Sequence, residues 1–190
     1  MATATLQTIP TPIVTTDKCF IRAYAPSDAA PMAAAANHPE IVAYMRNRFP
    51  HPYTLESSEF WINFSINATP IVNFGIFNLD GTFAGGIGLT PGQDIESRTW
   101  EVGYWVAMDF WGKGIATSAL MGFSEWAFKE FPELIRLEAG VFDGNFGSMK
   151  VLERVGYTKE GVRRKAIYKY GKSVDQVLYS LLREDLEKLE

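Results

Sequence analysis

The stretch Trp111-Gly112-Lys113-Gly114-Ile115-Ala116-Thr117 joins a strand-like run, 98–106, to a helix-like run that lasts until Phe131-Pro132. At such a junction glycines let the backbone approach a ligand closely, and the N–H groups of the helix's first turn have no intrahelical partners. With the positive end of the helix dipole, they favour a phosphate. Taken alone, the stretch reads equally as a Gly-rich turn that packs a helix on a sheet. The helix is well marked, since Ala116, Ala119, Leu120, Phe123 and Ala127 recur on one face. A P-loop kinase motif is excluded: Gly114 rather than Ser or Thr follows Lys113, and the first Gly of G-x-x-x-x-G-K is absent.

Downstream, 134–142 alternates Leu137, Ala139 and Val141 as a strand. Residues 145–155 form a helix with Ser148, Val151, Leu152 and Val155 on one face and Gly156 as its C′ residue. Two strands, about 158–165 and 174–182, follow with a connection around Gly171, and the charged tail to Glu190 reads as a frayed helix. Upstream lie strands at 71–79, 83–89 and 98–106, the first two joined by an Asp80-Gly81 hairpin turn. Thr54 is placed to cap a helix carrying Phe60, Trp61 and Phe64. Arg46-Asn47-Arg48-Phe49-Pro50-His51-Pro52-Tyr53 carries two prolines and is a mobile-loop candidate. Helices are expected at 29–36, with Ser27 or Asp28 as N-cap, and at 39–45, after a strand at 19–23; residues 1–16 are expected to run as an extended arm. The order is that of an α/β domain with a mixed sheet.

A chain of 190 residues, 47% hydrophobic and 14% aromatic, suits a single domain, 1–190, with a large core. No run approaches the ~20 consecutive apolar residues of a membrane helix, and the start has neither a basic flank nor an apolar block. The net charge of −4 gives no general attraction to nucleic acid or anionic membrane. The lone Cys19 cannot form an internal disulfide, in keeping with a reducing, cytoplasmic setting.

Four segments resemble the GNAT N-acetyltransferase superfamily, and within it the branch of ribosomal-protein N-terminal alanine acetyltransferases. They are 100–106 (WEVGYWV), 110–117 (FWGKGIAT), 145–157 (NFGSMKVLERVGY) and 174–182 (VDQVLYSLL). The resemblance implies the GNAT fold: a mixed, mostly antiparallel sheet of about seven strands flanked by helices and splayed between strands 4 and 5. It implies acetyl-CoA as cofactor and a primary amine, on a protein N-terminus or a small molecule, as acceptor. The cofactor would contact Tyr104, Trp105 and Val106, the junction residues Trp111, Gly112, Lys113, Gly114, Ile115, Ala116 and Thr117, and then Asn145 and Ser148. Trp111 stands where the wider family's pattern has Gln or Arg, while Gly114 and Ala116 match it.

Glu101 is the candidate base. Its alternation with apolar neighbours is read as keeping it off the face of Trp105 unless the strand is irregular, and the resemblance implies a bulge on this strand that would re-aim it. An ordinary ion pair is the competing role. Ser148 is the candidate acid for the leaving sulfur, since Leu152 occupies the position where many relatives carry Tyr. Asn145 as N-cap with Ser148 three residues later is the purely structural alternative. By resemblance a backbone N–H near Val106 would meet the carbonyl oxygen. The acceptor pocket would take in Phe49, Tyr53, Glu101 and Tyr168, walled by 46–53 and by the basic connection 163–172, whose charge suits a carboxylate-bearing acceptor better than a polyamine. Cys19 falls far in sequence from the junction, which argues for direct transfer over an acetyl-Cys route. A non-catalytic acyl-CoA-binding module of the same fold is the alternative function. Monomer and homodimer are equally compatible with the sequence.

Overall fold

In the computed structural model residues 9–186 are described. One eight-stranded sheet runs in the order β1-β2-β3-β4-β5-β6-β8-β7. The strands are β1 (Val14–Thr15), β2 (Cys19–Arg22), β3 (Asn73–Asn78), β4 (Phe83–Pro91), β5 (Thr99–Val106), β6 (Arg136–Phe142), β7 (Thr158–Lys169) and β8 (Lys172–Leu182). The eighth strand comes from the expected arm, where Val14 and Thr15 pair with Ile21 and Phe20. The remainder of that expected arm before residue 9 lies outside the described residues.

Helices cover both faces. On one, α4 (Ile115–Glu130) and α5 (Phe146–Val155) bury Leu120, Phe123 and Leu152 against Ile76, Val102 and Leu137. On the other, α1 (Ala29–Ala36) and α3 (Leu55–Ile66) enclose a smaller cluster with Met32, Ile62, Phe77, Phe83 and Trp105. Two short helices complete the described chain, α2 (Pro39–Val42) and α6 (Arg183–Leu186). No described helix is long and apolar enough to cross a membrane.

Local chemistry explains the helix ends. Thr54 Oγ1 accepts from the Ser57 N–H at 3.2 Å, as expected of a cap. Asp28 has another role: its carboxylate takes both Arg22 nitrogens at 2.8 Å and the Ala25 N–H at 2.7 Å. Arg22 lies 3.8 Å over the Phe77 ring, so the charge buried at the end of β2 is neutralised and stacked.

Every neighbouring pair of strands is antiparallel except β5 and β6. That parallel pair joins only Thr99–Arg136, Trp100–Leu137 and Glu101–Glu138, although β5 runs on to Val106 and β6 to Phe142. The sheet is therefore splayed from Glu101 onward, between the fourth and fifth strands of the seven expected. The expected bulge is not on β5, whose register with β4 is continuous from Gly85–Val106 to Pro91–Trp100. The ladder shifts instead between β3 and β4, at Ile76 and Phe77. No bulge is needed to bring Glu101 to the face of Trp105, because residues four apart on a regular strand share a face. The basic connection also differs from expectation. The strands of the last hairpin extend to Lys169 and Lys172, with Tyr170-Gly171 as a two-residue turn at φ 52° and 74°.

Candidate active site

The junction after β5 is built as an open helix N-terminus. Gly112 and Gly114 have φ of 74° and 80°, a left-handed backbone that glycine adopts freely, and Gly114 is the N-cap of α4 with no side chain capping the first turn. The first-turn N–H groups of Ile115, Ala116 and Thr117 thus stay available to an anion. A Cβ on Gly114 would lie 3.2 Å from Lys18 Cε, so a second cation, beside Lys113, is close to the cradle, its ammonium 3.6 Å from the Asp17 carboxylate. Trp111 anchors the junction: its indole N–H donates to the Val106 carbonyl at 2.7 Å. That bond ties the cradle to the open end of β5 and gives the Trp at the Gln/Arg position a structural task.

Across the splay, Asn145 caps α5 by accepting the Ser148 N–H at 3.2 Å. Ser148 Oγ is 2.9 Å from the Tyr104 hydroxyl, which also lies 3.3 Å from the Ser148 carbonyl. Burial pushes the Tyr104 phenol up to about 12, so it keeps its proton at any physiological pH. Sequence reasoning placed Tyr104 only against the cofactor. Its pairing with Ser148 joins residues 44 apart, and the signal for it is Tyr104's place on the same strand face as Val102 and Val106.

Glu101 and Trp105 point to the opposite face. Trp105 packs edge-on against Phe49 at 5.8 Å, and Phe49 packs at a tilt on Tyr53 at 4.7 Å, so these rings back the site from the smaller cluster. Tyr53 is buried there, its phenol pushed up to about 12 by desolvation, whereas Tyr168 is largely exposed at a cavity mouth. Between Glu101 and Trp105 the strand face is open, for a Cβ on Gly103 would meet nothing within 4 Å.

Glu101 makes the ion pair expected as its competing role, and its partner comes from the segment expected to wall the acceptor site: Arg46 Nη2 donates to Glu101 Oε1 across 55 residues. Arg46 is positioned in turn by Lys169, whose ammonium donates to the carbonyls of Val42, at 2.5 Å, and Met45, capping the end of α2. Desolvation lowers the Lys169 pKa. The segment 46–53, expected as a mobile loop, is thus tied at its start by Lys169 and Arg46 and at its end by the Tyr53 N–H, which donates to Asn37 Oδ1 at 2.9 Å. Two cavities of about 180 and 100 Å³ meet at Arg46 and Gln176, one lined by Tyr168, the other by Glu101.

The arrangement offers an anion cradle and a hydroxyl pair on one side of an open strand edge, and a carboxylate with a shallow cleft on the other. Comparison with known proteins bears on the family and the fold. Residues 18–158 match the family model described as an acetyltransferase (GNAT) domain. YdaF of Bacillus subtilis (strain 168) is 41% identical over 108 residues, 57% of this chain and 58% of YdaF, so the match spans less than two thirds of that relative. Mycobacterium smegmatis RimJ, solved in complex with CoA-disulfide, superposes with a TM-score of 0.78 at 25% identity, covering 88% of this chain and 83% of RimJ. The ribosomal-protein-S5-alanine acetyltransferase of Vibrio fischeri shares the fold, with a TM-score of 0.77 at 23% identity over 90% of this chain and 97% of its own. With a family model matched over most of its length and the splayed sheet to go with it, the chain belongs to the GNAT acetyltransferase family.

Proposed function

We propose that the protein is an acetyl-CoA-dependent N-acetyltransferase that moves the acetyl group directly to a primary amine, on a peptide N-terminus or a small molecule, within a ternary complex. The observation that carries this reading is the open edge of β5 beyond Glu101, flanked by a carboxylate on one face and the Tyr104–Ser148 pair on the other. The cradle fits a pyrophosphate by its chemistry, with glycines in left-handed backbone, uncapped N–H groups and Lys18 nearby. Gly112 to Thr117 would hold the pyrophosphate and Asn145 the pantetheine arm, and acetyl-CoA, when bound, supplies the activated thioester.

The chain's own groups account for the rest. Glu101 takes a proton from the acceptor ammonium, leaving a lone pair to attack. A backbone N–H near Val106 steadies the charge on the carbonyl oxygen. Ser148 is the acid expected from the sequence; within the 2.9 Å hydroxyl pair we assign the proton that the leaving sulfur would take to its partner Tyr104, which Ser148 orients, and the second proton shed by the nitrogen as it becomes an amide would restore the phenol. The buried Cys19, its thiol pushed up by desolvation, is poorly suited to a covalent relay.

The test is release of CoA thiol from acetyl-CoA across a panel of N-terminal peptides and small amines, with Glu101→Gln in parallel. Turnover by the native chain, reduced ~10²-fold or more by the substitution and most at low pH, is the expected result. Acetyl-CoA binding with no acceptor turned over would favour a non-catalytic acyl-CoA-binding module.

A further inference from the structure

We infer that the acceptor is a primary amine bearing a carboxylate close to the amine, and that it binds by exchanging partners with the Arg46–Glu101 ion pair. The inference rests on the proposed role of Glu101 as the acceptor-side base.

The pair stands where the two cavities meet, and half of the Arg46 side chain is exposed against 27% of that of Glu101. While it stands, Oε1 of the carboxylate that must receive an ammonium proton is occupied by a guanidinium that gives none up. An incoming ammonium competes with Arg46 for Glu101 and draws the carboxylate away from the guanidinium. A neutral-bodied amine then leaves Arg46 without its anion at a half-covered site, and that loss weighs against binding. A carboxylate a few bonds from the amine restores both partners.

The neighbouring charges reinforce this. Arg136 is already committed, bidentate to Glu160 at 2.7 and 2.6 Å and near Glu138 at 3.6 Å. Lys169 is spent on two carbonyls. Arg163, lining the same cleft, reaches Gln176 Oε1 at 2.9 Å and has no carboxylate within ion-pair distance among the described residues. Gln176 lies flat across Gly140, where a Cβ would come within 2.2 Å of its Nε2, and so holds Arg163 toward the cleft. The cleft therefore offers Glu101 for a cation and Arg46 and Arg163 for an anion, a complement to an amino acid or to a peptide start with an acidic side chain, and a poor one to a polyamine.

The experiment compares kcat/KM for acceptors differing only in carboxylate or carboxamide. One arm uses peptides beginning Ala-Asp or Ala-Asn, the other free amino acids and their amides, with spermidine as the cationic control. The carboxylated member is expected to be preferred ~10–100-fold, the worth of a charge-assisted hydrogen bond, and the arm showing the larger preference identifies the source. Arg46→Gln and Arg163→Gln each narrow the preference and together remove it, with unchanged thermal melting showing that both fold. An equal or reversed preference, or one surviving the double substitution, overturns the inference. If the native chain turns over nothing, the proposed function fails instead, and calorimetric titration of the same pairs decides: equal affinities for acid and amide overturn the exchange.

Discussion

Replacing Tyr104 by Phe deletes one oxygen from the interior of the splay and separates two readings of the Tyr104–Ser148 pair. If the 2.9 Å bond only braces α5 against β5, each of Tyr104→Phe and Ser148→Ala lowers stability by about 1–2 kcal/mol, the cost of leaving a part-buried hydroxyl without its partner. The double variant then costs little more than either single one, a coupling of ~1–2 kcal/mol, while activity follows only the amount of folded protein. If the phenol donates to the leaving sulfur, Tyr104→Phe lowers kcat ~10²-fold or more with the KM for acetyl-CoA little changed. Ser148→Ala, which keeps the donor and loses its orientation, is expected to cost ~10-fold in kcat, and the double variant to be no worse than Tyr104→Phe. The cap on α5 is untouched, because Asn145 accepts the backbone N–H of residue 148. With its phenol pushed up to about 12, Tyr104 gives the native pH–rate profile no alkaline limb below about pH 11. The assays are steady-state thiol release at saturating acetyl-CoA and urea unfolding of the same preparations. A Tyr104→Phe enzyme with kcat within ~3-fold of native at full folding would refute the acid role.

Gly114→Val forces a non-glycine residue to φ 80°, about 1–2 kcal/mol of backbone strain, while the nearby Lys18 methylenes can move aside; acetyl-CoA affinity by calorimetry is expected to fall ≥ ~10-fold, and unchanged affinity would make the junction a packing turn. Gly103→Val adds methyls to open space between Glu101 and Trp105, so melting and acetyl-CoA affinity should hold while the acceptor KM rises; an unchanged KM would move the acceptor off this face. Tyr53, Tyr104 and Tyr179 are pushed up to about 12 by burial, and Tyr24 and Tyr157 are raised as well, whereas in the unfolded chain all ionise near ~10. Between those values the native state binds more protons, so stability falls as pH rises above ~10, by up to ~1.4 kcal/mol per pH unit for each; denaturant midpoints flat from pH 9 to 11 would contradict it.

The parts legible in the sequence are those written in local spacing. The Gly junction, the helices around it and the caps at Thr54 and Asn145 each lie within a few residues of what they organise. What was missed is non-local or too polar to show a period. Val14–Thr15 is two residues long, and the outer half of β7 is exposed but for Ile167 and Lys169, so neither shows the alternation of a half-buried strand. Asp28 reads as a cap by position, but a buried Arg22 six residues earlier needs its carboxylate more. Arg46–Glu101, Lys169 with the α2 carbonyls, and Tyr104–Ser148 close across 55, 127 and 44 residues, and nothing in local composition selects those partners.

Strand geometry then ties the proposed chemistry to the splay. Glu101 and Tyr104 are three residues apart on a regular strand, an odd spacing, so their side chains leave opposite faces. Within a closed sheet no single atom reaches both groups, because the ladder itself intervenes. At an unpaired edge one does, and the β5–β6 ladder ends at Glu101, leaving the edge open along the three residues that carry the opposite-face hydroxyl. A base on one face and a proton donor on the other can serve one acyl carbon only if it sits in that gap, with the donor entering from the α4–α5 side and the amine from the Arg46 side. In the proposed arrangement the acceptor approaches from the Arg46 face and the thioester from the side of Tyr104 and the α4 N-terminus, so substitutions on the Arg46 face are expected to alter the acceptor KM while leaving acetyl-CoA affinity unchanged.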